Sequence, residues 1–276
     1  MSKQLPVVGG HPTGFGATSR PDNWWVGPAA TFLGLLTFLA YAHWAAFQGE
    51  HYYAHSYLSP FYSPVLWTDL AAAGSAPVEH AWLGIWPEWW PSFLPKSPAL
   101  LILVFPAGFR FTCYYYRKAY YRSFAGSPPG CSVGPMAPSG KTYHGEGRLL
   151  LFQNLHRYFM YAALLYIPIL FYDAFLAFYN GGNWGVGVGC FVLLLNASLL
   201  SCYTLGCHSF RHLIGGRSDC MTPCGKATTQ FKLWKMSTWF NGRHMAFAWV
   251  SLFWVGFTDL YVRLVSMGVI HDYNTW

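Results

Sequence analysis

Four apolar stretches of the chain each carry one cysteine or histidine within a turn of an arginine. The four pairs are Cys113 with Arg117, His156 with Arg157, Cys207 with Arg211, and His244 with Arg243. Ionisable or metal-binding side chains are costly in apolar stretches, so each is a candidate functional residue. Counted from the ends of their stretches, the two cysteines and two histidines lie at one depth. Antiparallel helices that present such residues at a common depth build metal and cofactor sites.

Two cysteines and two histidines are the ligand set of a zinc ion or of a Rieske-type [2Fe–2S] cluster. A structural zinc ion mainly replaces a missing core in small domains, and a packed bundle of helices has little need of it. A cluster gains negative charge on reduction, which the neighbouring arginines stabilise where the dielectric constant is low. We therefore favour a [2Fe–2S] cluster whose ligands are Cys113, His156, Cys207 and His244.

A b-type haem is the main alternative cofactor. His156 and His244 would then be its two axial ligands, and both cysteines would be small buried packing residues, which is what a single cysteine in a membrane helix usually is. Cys202 is a reserve ligand on the fourth stretch, because it precedes Cys207 by five residues and faces another direction on a helix.

The remaining cysteines and histidines of interest have no assigned role. Cys220 and Cys224 flank Met-Thr-Pro in a polar loop that lacks two further metal ligands, so they are unassigned thiols. His43, His51 and His55 lie near the end of the first apolar stretch. They offer a proton path or a second haem site, although interfacial histidines are the simpler interpretation.

The composition is that of an integral membrane protein. Hydrophobic residues make up 54% of the 276 residues and charged residues only 10%, against roughly 25% charged in soluble domains. The net charge of +7 comes from basic residues beside apolar stretches, which argues against nucleic-acid binding. Seven cysteines, mostly in or near apolar stretches, indicate reduced thiols rather than disulfides. No hydrolase or nucleotide-binding motif is evident.

Five stretches reach the roughly 20 residues that a membrane-spanning helix needs. We predict an all-α integral membrane bundle of five transmembrane helices in one domain, residues 1–276, with helices near 28–48, 98–120, 149–178, 185–213 and 239–266. Residues 1–27 and 121–148 are rich in Gly, Pro and Ser and should be irregular. Residues 49–97 carry Trp82, Trp86, Trp89 and Trp90 between prolines, which is typical of a segment at the membrane interface.

The distribution of basic residues predicts the orientation. With five spans the termini face opposite sides, and a cytoplasmic N-terminus places fifteen of the 17 Lys and Arg residues on or toward the cytoplasm. Lys96 and Arg263 are the two that face outward. This is the positive-inside pattern, so we predict a cytoplasmic N-terminus and a C-terminus outside the cell.

The five stretches, this orientation and the residues Cys113, His156, Cys207 and His244 resemble the single-chain, cytochrome b-like membrane anchor of respiratory complex II. The form most similar is the actinobacterial, or mycobacterial, succinate dehydrogenase with a Rieske-type cluster. The resemblance covers nearly the whole chain. Related anchors bind two haems through four histidines, and this sequence has cysteines at two of the matched depths.

The resemblance implies a function and its partners. The chain would anchor a flavoprotein subunit and an iron–sulfur subunit to the bacterial plasma membrane, with its basic loops as the docking surface, and would pass electrons from succinate to a quinone. Succinate oxidation, a step of the tricarboxylic acid cycle, would lie on a partner, and a higher oligomer of the complex stays open. Tyr114, His208, Arg211 and Trp239 are candidate quinone ligands.

Two other functions stay open at this point. A transporter would show helices broken by Gly and Pro in related halves and charges near the midplane, and neither feature is evident. A purely structural anchor would carry no prosthetic group, so it would tolerate the loss of both His156 and His244.

Overall fold

We describe the protein from a computed structural model, which covers residues 14–136, 149–216, 218, 220–222 and 228–276. Within these residues the chain is mostly helical. The helices are α1 Val26–Gln48, α2 Pro98–Ile102, α3 Val104–Phe111, α4 Tyr114–Ser123, α5 Leu149–Leu176, α6 Val188–Leu205, α7 His208–Gly215, α8 Thr229–Asn241 and α9 His244–Ser266. Two short antiparallel hairpins join β1 Tyr53–Ala54 to β2 Tyr57–Leu58, and β3 Tyr179–Asn180 to β4 Asn183–Trp184.

Four helices of the described chain are long and apolar enough to cross a membrane. They are α1, most of α5 (Gln153–Leu176), α6 and α9. They correspond to four of the five predicted spans, so the prediction of a helical membrane protein is confirmed. The count of five spans and the side on which each terminus lies stay predictions.

The predicted helix over residues 98–120 is interrupted, and it forms α2, α3 and α4 instead. The backbone of Cys113 is extended, with φ −64° and ψ 128°, which separates α3 from α4. After that break α4 carries Arg117, Lys118 and Arg122. The apolar part therefore ends near Phe111 and falls short of the roughly 20 residues of a full span.

The predicted helices over 185–213 and 239–266 are also interrupted. Extended Cys207 separates α6 from α7, and Arg243, with φ −115° and ψ 13°, separates α8 from α9. A glycine precedes each break, Gly206 and Gly242, and glycine is a weak helix former. Gly206 also permits a close approach, because a Cβ there would lie 3.0 Å from the backbone of Phe240.

The chain divides into two compact units. The first combines Met1–Thr37 with Cys113–Leu150, and the second combines Phe38–Thr112 with Leu151–Trp276. In the first unit the segment before α1 pairs with the segment after α4 through backbone hydrogen bonds. For example, Gly134 N–H donates to the Ala17 carbonyl oxygen at 2.8 Å. In the second unit α6 packs along α9, and Trp254 Nε1 donates to the Val192 carbonyl oxygen at 3.1 Å.

The segment 49–97, which contains no membrane-length helix, is fixed by hydroxyl groups that donate to carboxylates elsewhere in the second unit. Tyr57 donates to Asp272 at 2.6 Å. Ser59 donates to Asp259 of α9 and Ser63 to Asp173 of α5. Burial, together with the adjacent Asp272 carboxylate, raises the pKa of Tyr57, so its hydroxyl remains a donor. The segment is thus a folded cap rather than a loose loop.

Candidate metal centre

Both predicted cysteine ligands lie at breaks between helices. Cys113 is the N-cap of α4 and Cys207 the N-cap of α7. Their backbones are almost alike, with φ −64° and ψ 128° for Cys113 and φ −65° and ψ 140° for Cys207. Both side chains are buried. Deprotonated cysteine is the form that binds metals.

His156 and Cys207 are in direct contact in the second unit. His156 Nε2 lies 3.0 Å from Cys207 Sγ. The other ring nitrogen, Nδ1, lies 3.1 Å from the hydroxyl oxygen of Thr112. The ring also stacks on Phe109, with centroids 4.7 Å apart. A hydrogen bond on the far side of a histidine ring is the usual way in which a metal ligand is oriented.

His244 belongs to the same neighbourhood. It is the first residue of α9, and its ring stacks on Tyr203 with centroids 4.8 Å apart. Tyr203 in turn meets Phe109 edge-on at 5.4 Å. Two histidines therefore flank one aromatic pair, and His156 acts electrostatically on the His244 imidazole.

Three of the four predicted ligands, His156, Cys207 and His244, thus lie in one part of the second unit, whereas Cys113 belongs to the first. Among the described residues no three His, Cys, Asp or Glu side chains form a ready-made metal-binding group. The metal centre therefore stays a prediction, supported by the His156–Cys207 contact.

Arg110 is a site residue that the sequence reasoning did not single out. Its guanidinium donates to the Ala248 carbonyl oxygen at 3.1 Å and to Ser251 Oγ at 2.9 Å, and lies 4.6 Å above the Tyr203 ring. It also acts electrostatically on His244. The signal was present, because Arg110 is a permanent charge in an apolar stretch three residues before Cys113.

The reserve ligand and the loop cysteines lie elsewhere. Cys202 is half-buried within α6, where its carbonyl oxygen accepts from Gly206 N–H at 3.1 Å. Cys207, by contrast, contacts the predicted partner His156. Cys220 is exposed. Cys224 lies outside the described residues.

The four predicted quinone ligands are distributed over three helices, and Arg211 is half-buried while the other three are exposed. Tyr114 is exposed on α4 in the first unit. In the second unit His208 is exposed on α7, and the Arg211 guanidinium lies 4.6 Å above the Trp234 ring. Trp239 is exposed beneath the guanidinium of Arg243 at 4.0 Å. None of the four lines the apolar cavity of the second unit.

An apolar cavity of about 330 Å³ adjoins the two histidines within the second unit. Its buried base includes Phe109 and Tyr203, the rings that stack on His156 and His244. Its exposed rim includes Leu39 and Phe47 of α1, one of the helices long and apolar enough to cross a membrane. Arg110 and His43 are the basic side chains in the described lining. A mostly apolar pocket with a few polar groups suits a small lipophilic ligand.

Comparison with known proteins assigns the family. Residues 26–268 match the family described as actinobacterial succinate dehydrogenase subunit SdhC. A chain of the Mycobacterium smegmatis Sdh1 complex in the apo form is 41% identical, with a TM-score of 0.80 over 94% of this chain and 94% of that chain. No curated protein sequence gives a significant match. The chain is a multi-pass protein of the plasma membrane, and it belongs to the family of actinobacterial succinate dehydrogenase membrane anchors, subunit SdhC.

Proposed function

We propose that the chain anchors the flavoprotein and iron–sulfur subunits of succinate dehydrogenase to the membrane and passes their electrons to a quinone. The family assignment supports the anchor role over the transporter alternative, and the similar chain belongs to an Sdh1 complex. The observation that carries the electron-transfer role is the buried His156–Cys207 pair, whose histidine ring stacks on Phe109 in the lining of an apolar cavity. In this proposal the N-terminus is cytoplasmic and the basic loops dock the partners.

The proposed cofactor is a Rieske-type [2Fe–2S] cluster, which Cys113, His156, Cys207 and His244 would hold. The donor chemistry fits, because both cysteines are buried N-caps and His156 is oriented by Thr112. Cys113 enters this set from the sequence alone. When bound, such a cluster supplies one-electron transfer between the soluble partner and quinone.

A haem held by His156 and His244 is the second candidate. Tyr203 and Phe109 beside the two rings would suit the flat macrocycle. However, Cys207 Sγ lies 3.0 Å from Nε2 of His156. Nε2 is the nitrogen through which His156 would bind a haem iron. A sulfur atom at that place favours the cluster.

The cavity is the better supported of two quinone sites. It encloses about 330 Å³, and its base consists of rings in contact with both histidines. Arg110 lines it as a hydrogen-bond donor for a quinone carbonyl oxygen. The second candidate is the set predicted from sequence, Tyr114, His208, Arg211 and Trp239, of which Arg211 is half-buried and the other three are exposed.

Low-temperature EPR and optical spectra of the dithionite-reduced, purified complex test this proposal. We expect a rhombic [2Fe–2S] signal with the low average g value of histidine-ligated clusters, beyond the signals of the soluble partner. The double variant His156→Ala, His244→Ala should lose that signal and quinone reduction, and keep succinate oxidation by a soluble electron acceptor. Sharp b-type α-bands lost in the same variant would establish haem instead. If the double variant still reduces quinone, the purely structural anchor is the correct alternative.

A further inference from the structure

Three histidines near the C-terminal end of α1 have different surroundings. His51 Nδ1 lies 3.3 Å from Ser266 Oγ, and His55 meets the ring of Tyr57 edge-on at 6.2 Å. His43 is the one of the three that lines the apolar cavity. It shares a face of α1 with four apolar lining residues, Leu39, Ala42, Ala46 and Phe47, which is the spacing of one helix face.

The hydrogen bond of His43 fixes which nitrogen is available to a ligand. Nδ1 lies 2.7 Å from the Leu39 carbonyl oxygen, one turn earlier in α1. A carbonyl oxygen only accepts, so Nδ1 carries a hydrogen and Nε2 is the nitrogen at which the ring gains or loses a proton. His43 lies five residues before Gln48, the end of α1, which is about 8 Å along the helix axis. The ring thus lies in the cavity lining, close to the C-terminal end of α1.

The other titratable or charged groups that line the cavity are Arg110, Tyr166 and Tyr203. Arginine keeps its proton at all physiological pH values, and tyrosine ordinarily titrates near 10. Tyr166 also donates its hydroxyl hydrogen to the Ile102 carbonyl oxygen at 2.9 Å. In the described lining there is no carboxylate. His43 is the imidazole in the described lining, and imidazole is the side chain generally suited to proton transfer.

We propose that His43 is the proton donor to the quinone in this cavity, an inference that rests on the proposed function. Reduction of a quinone to the quinol consumes two electrons, which come from succinate through the partner subunits, and two protons. In each proton transfer the Nε2–H bond of the imidazolium breaks and an O–H bond forms at a quinone oxygen. The neutral imidazole takes up a proton from water before the next transfer.

The position of His43 also determines the side from which the protons come. The ring is near the C-terminal end of α1, and with a cytoplasmic N-terminus that end is the outer one. The electrons arrive from partners on the cytoplasmic face. Electrons and protons then reach the quinone from opposite sides, so quinone reduction moves charge across the membrane and responds to the membrane potential.

His43→Gln in the assembled complex tests the proposal, with His51→Gln and His55→Gln as matched controls. Glutamine keeps a polar side chain and carries no exchangeable charge. Loss of a general acid typically lowers the rate about 100-fold or more. We expect kcat with a short-chain quinone to fall by about that factor, with KM little changed. The alkaline limb of the pH profile, where a proton donor loses its proton, should be abolished. Succinate oxidation by a soluble electron acceptor should stay at the wild-type rate.

A cavity-filling variant separates failure of this inference from failure of the proposed function. Ala163→Trp occupies the cavity, so it should abolish binding of a fluorescent quinone analogue, whereas His43→Gln should retain that binding. If Ala163→Trp blocks binding and His43→Gln behaves like the His51 control in rate and pH profile, His43 is not the donor. If Ala163→Trp leaves binding and quinone reduction intact, the cavity is not the quinone site, so the assignment of His43 falls while the proposed electron transfer to quinone stands.

Discussion

The ion pair between Asp259 and Arg263 of α9 should contribute far more to stability than an exposed pair in the same chain. Both side chains are buried, with 0% and 3% exposure, and Nε of Arg263 lies 3.4 Å from Oδ2 of Asp259. The carboxylate also accepts from Tyr41 at 2.5 Å and from Ser59. Asp259→Ala leaves the guanidinium buried without its counter-ion, and breaking such a pair costs about 3–5 kcal/mol.

The magnitude converts to a measurable shift in melting temperature. At roughly 2–4 °C per kcal/mol for a chain of this size, Asp259→Ala should lower the apparent Tm of the complex by about 10 °C in detergent. Arg263 retains one acceptor, because its Nη1 donates to the Glu50 carbonyl oxygen at 2.8 Å, so the loss should lie toward the lower end of that energy range. All variants are compared at one scan rate, since membrane complexes unfold irreversibly.

Two further variants give the result that would refute this reasoning. Asp22, paired with Arg20 in the first unit, has a side chain that is 54% exposed, and Asp22→Ala should cost at most about 1 kcal/mol. The double variant Asp259→Ala, Arg263→Met removes both buried charges and should melt above Asp259→Ala alone. If Asp259→Ala has the same apparent Tm as Asp22→Ala, Asp259 and Arg263 are not a buried, coupled pair. The same conclusion follows if the double variant has a lower apparent Tm than Asp259→Ala.

Three other predictions address the metal centre, the cavity and the membrane surface. Cys207→Ala should abolish the [2Fe–2S] EPR signal while Cys202→Ala keeps it, because Cys207 contacts His156; equal loss in both would contradict the ligand assignment. Arg110→Met should raise KM for a short-chain quinone about 10- to 100-fold, because a charged hydrogen bond contributes about 1.5–3 kcal/mol; an unchanged KM would argue against the cavity as the quinone site. Trp89→Phe should reduce fluorescence quenching by brominated lipids and Trp86→Phe should not, since Trp89 is 71% exposed and Trp86 6%; identical quenching would show that the segment 49–97 does not lie in the interface.

Apolar length predicted the long helices well. The predicted helices 28–48 and 149–178 agree with α1 and α5 to within two residues at each end. An apolar run in a membrane satisfies its backbone hydrogen bonds best as a helix when no polar site competes. The same reasoning missed the hydroxyl–carboxylate bonds of the segment 49–97. Ser59 and Asp259 are 200 residues apart in sequence, and no local pattern indicates that they meet.

The sequence predicts a set of candidate ligands but not their geometry. Charge and metal-binding chemistry in apolar stretches marked Cys113, His156, Cys207 and His244. The pairing of His156 with Cys207 depends on the direction of each side chain, which depth alone does not give. The partner rings Phe109 and Tyr203 gave no signal, because aromatic residues are common throughout this sequence.

The interrupted helices and the placement of the candidate ligands have one physical origin. An uninterrupted α-helix turns about 100° per residue and fixes the direction of every side chain along its length. At Cys113 and Cys207 the backbone leaves the helix and a new helix begins, so the cysteine is aimed independently of the helix before it. His244 likewise follows the break at Arg243. These residues lie on the three predicted helices that are discontinuous in the structure, 98–120, 185–213 and 239–266. The departures from ideal helix length therefore indicate where the chain is shaped for chemistry rather than for spanning.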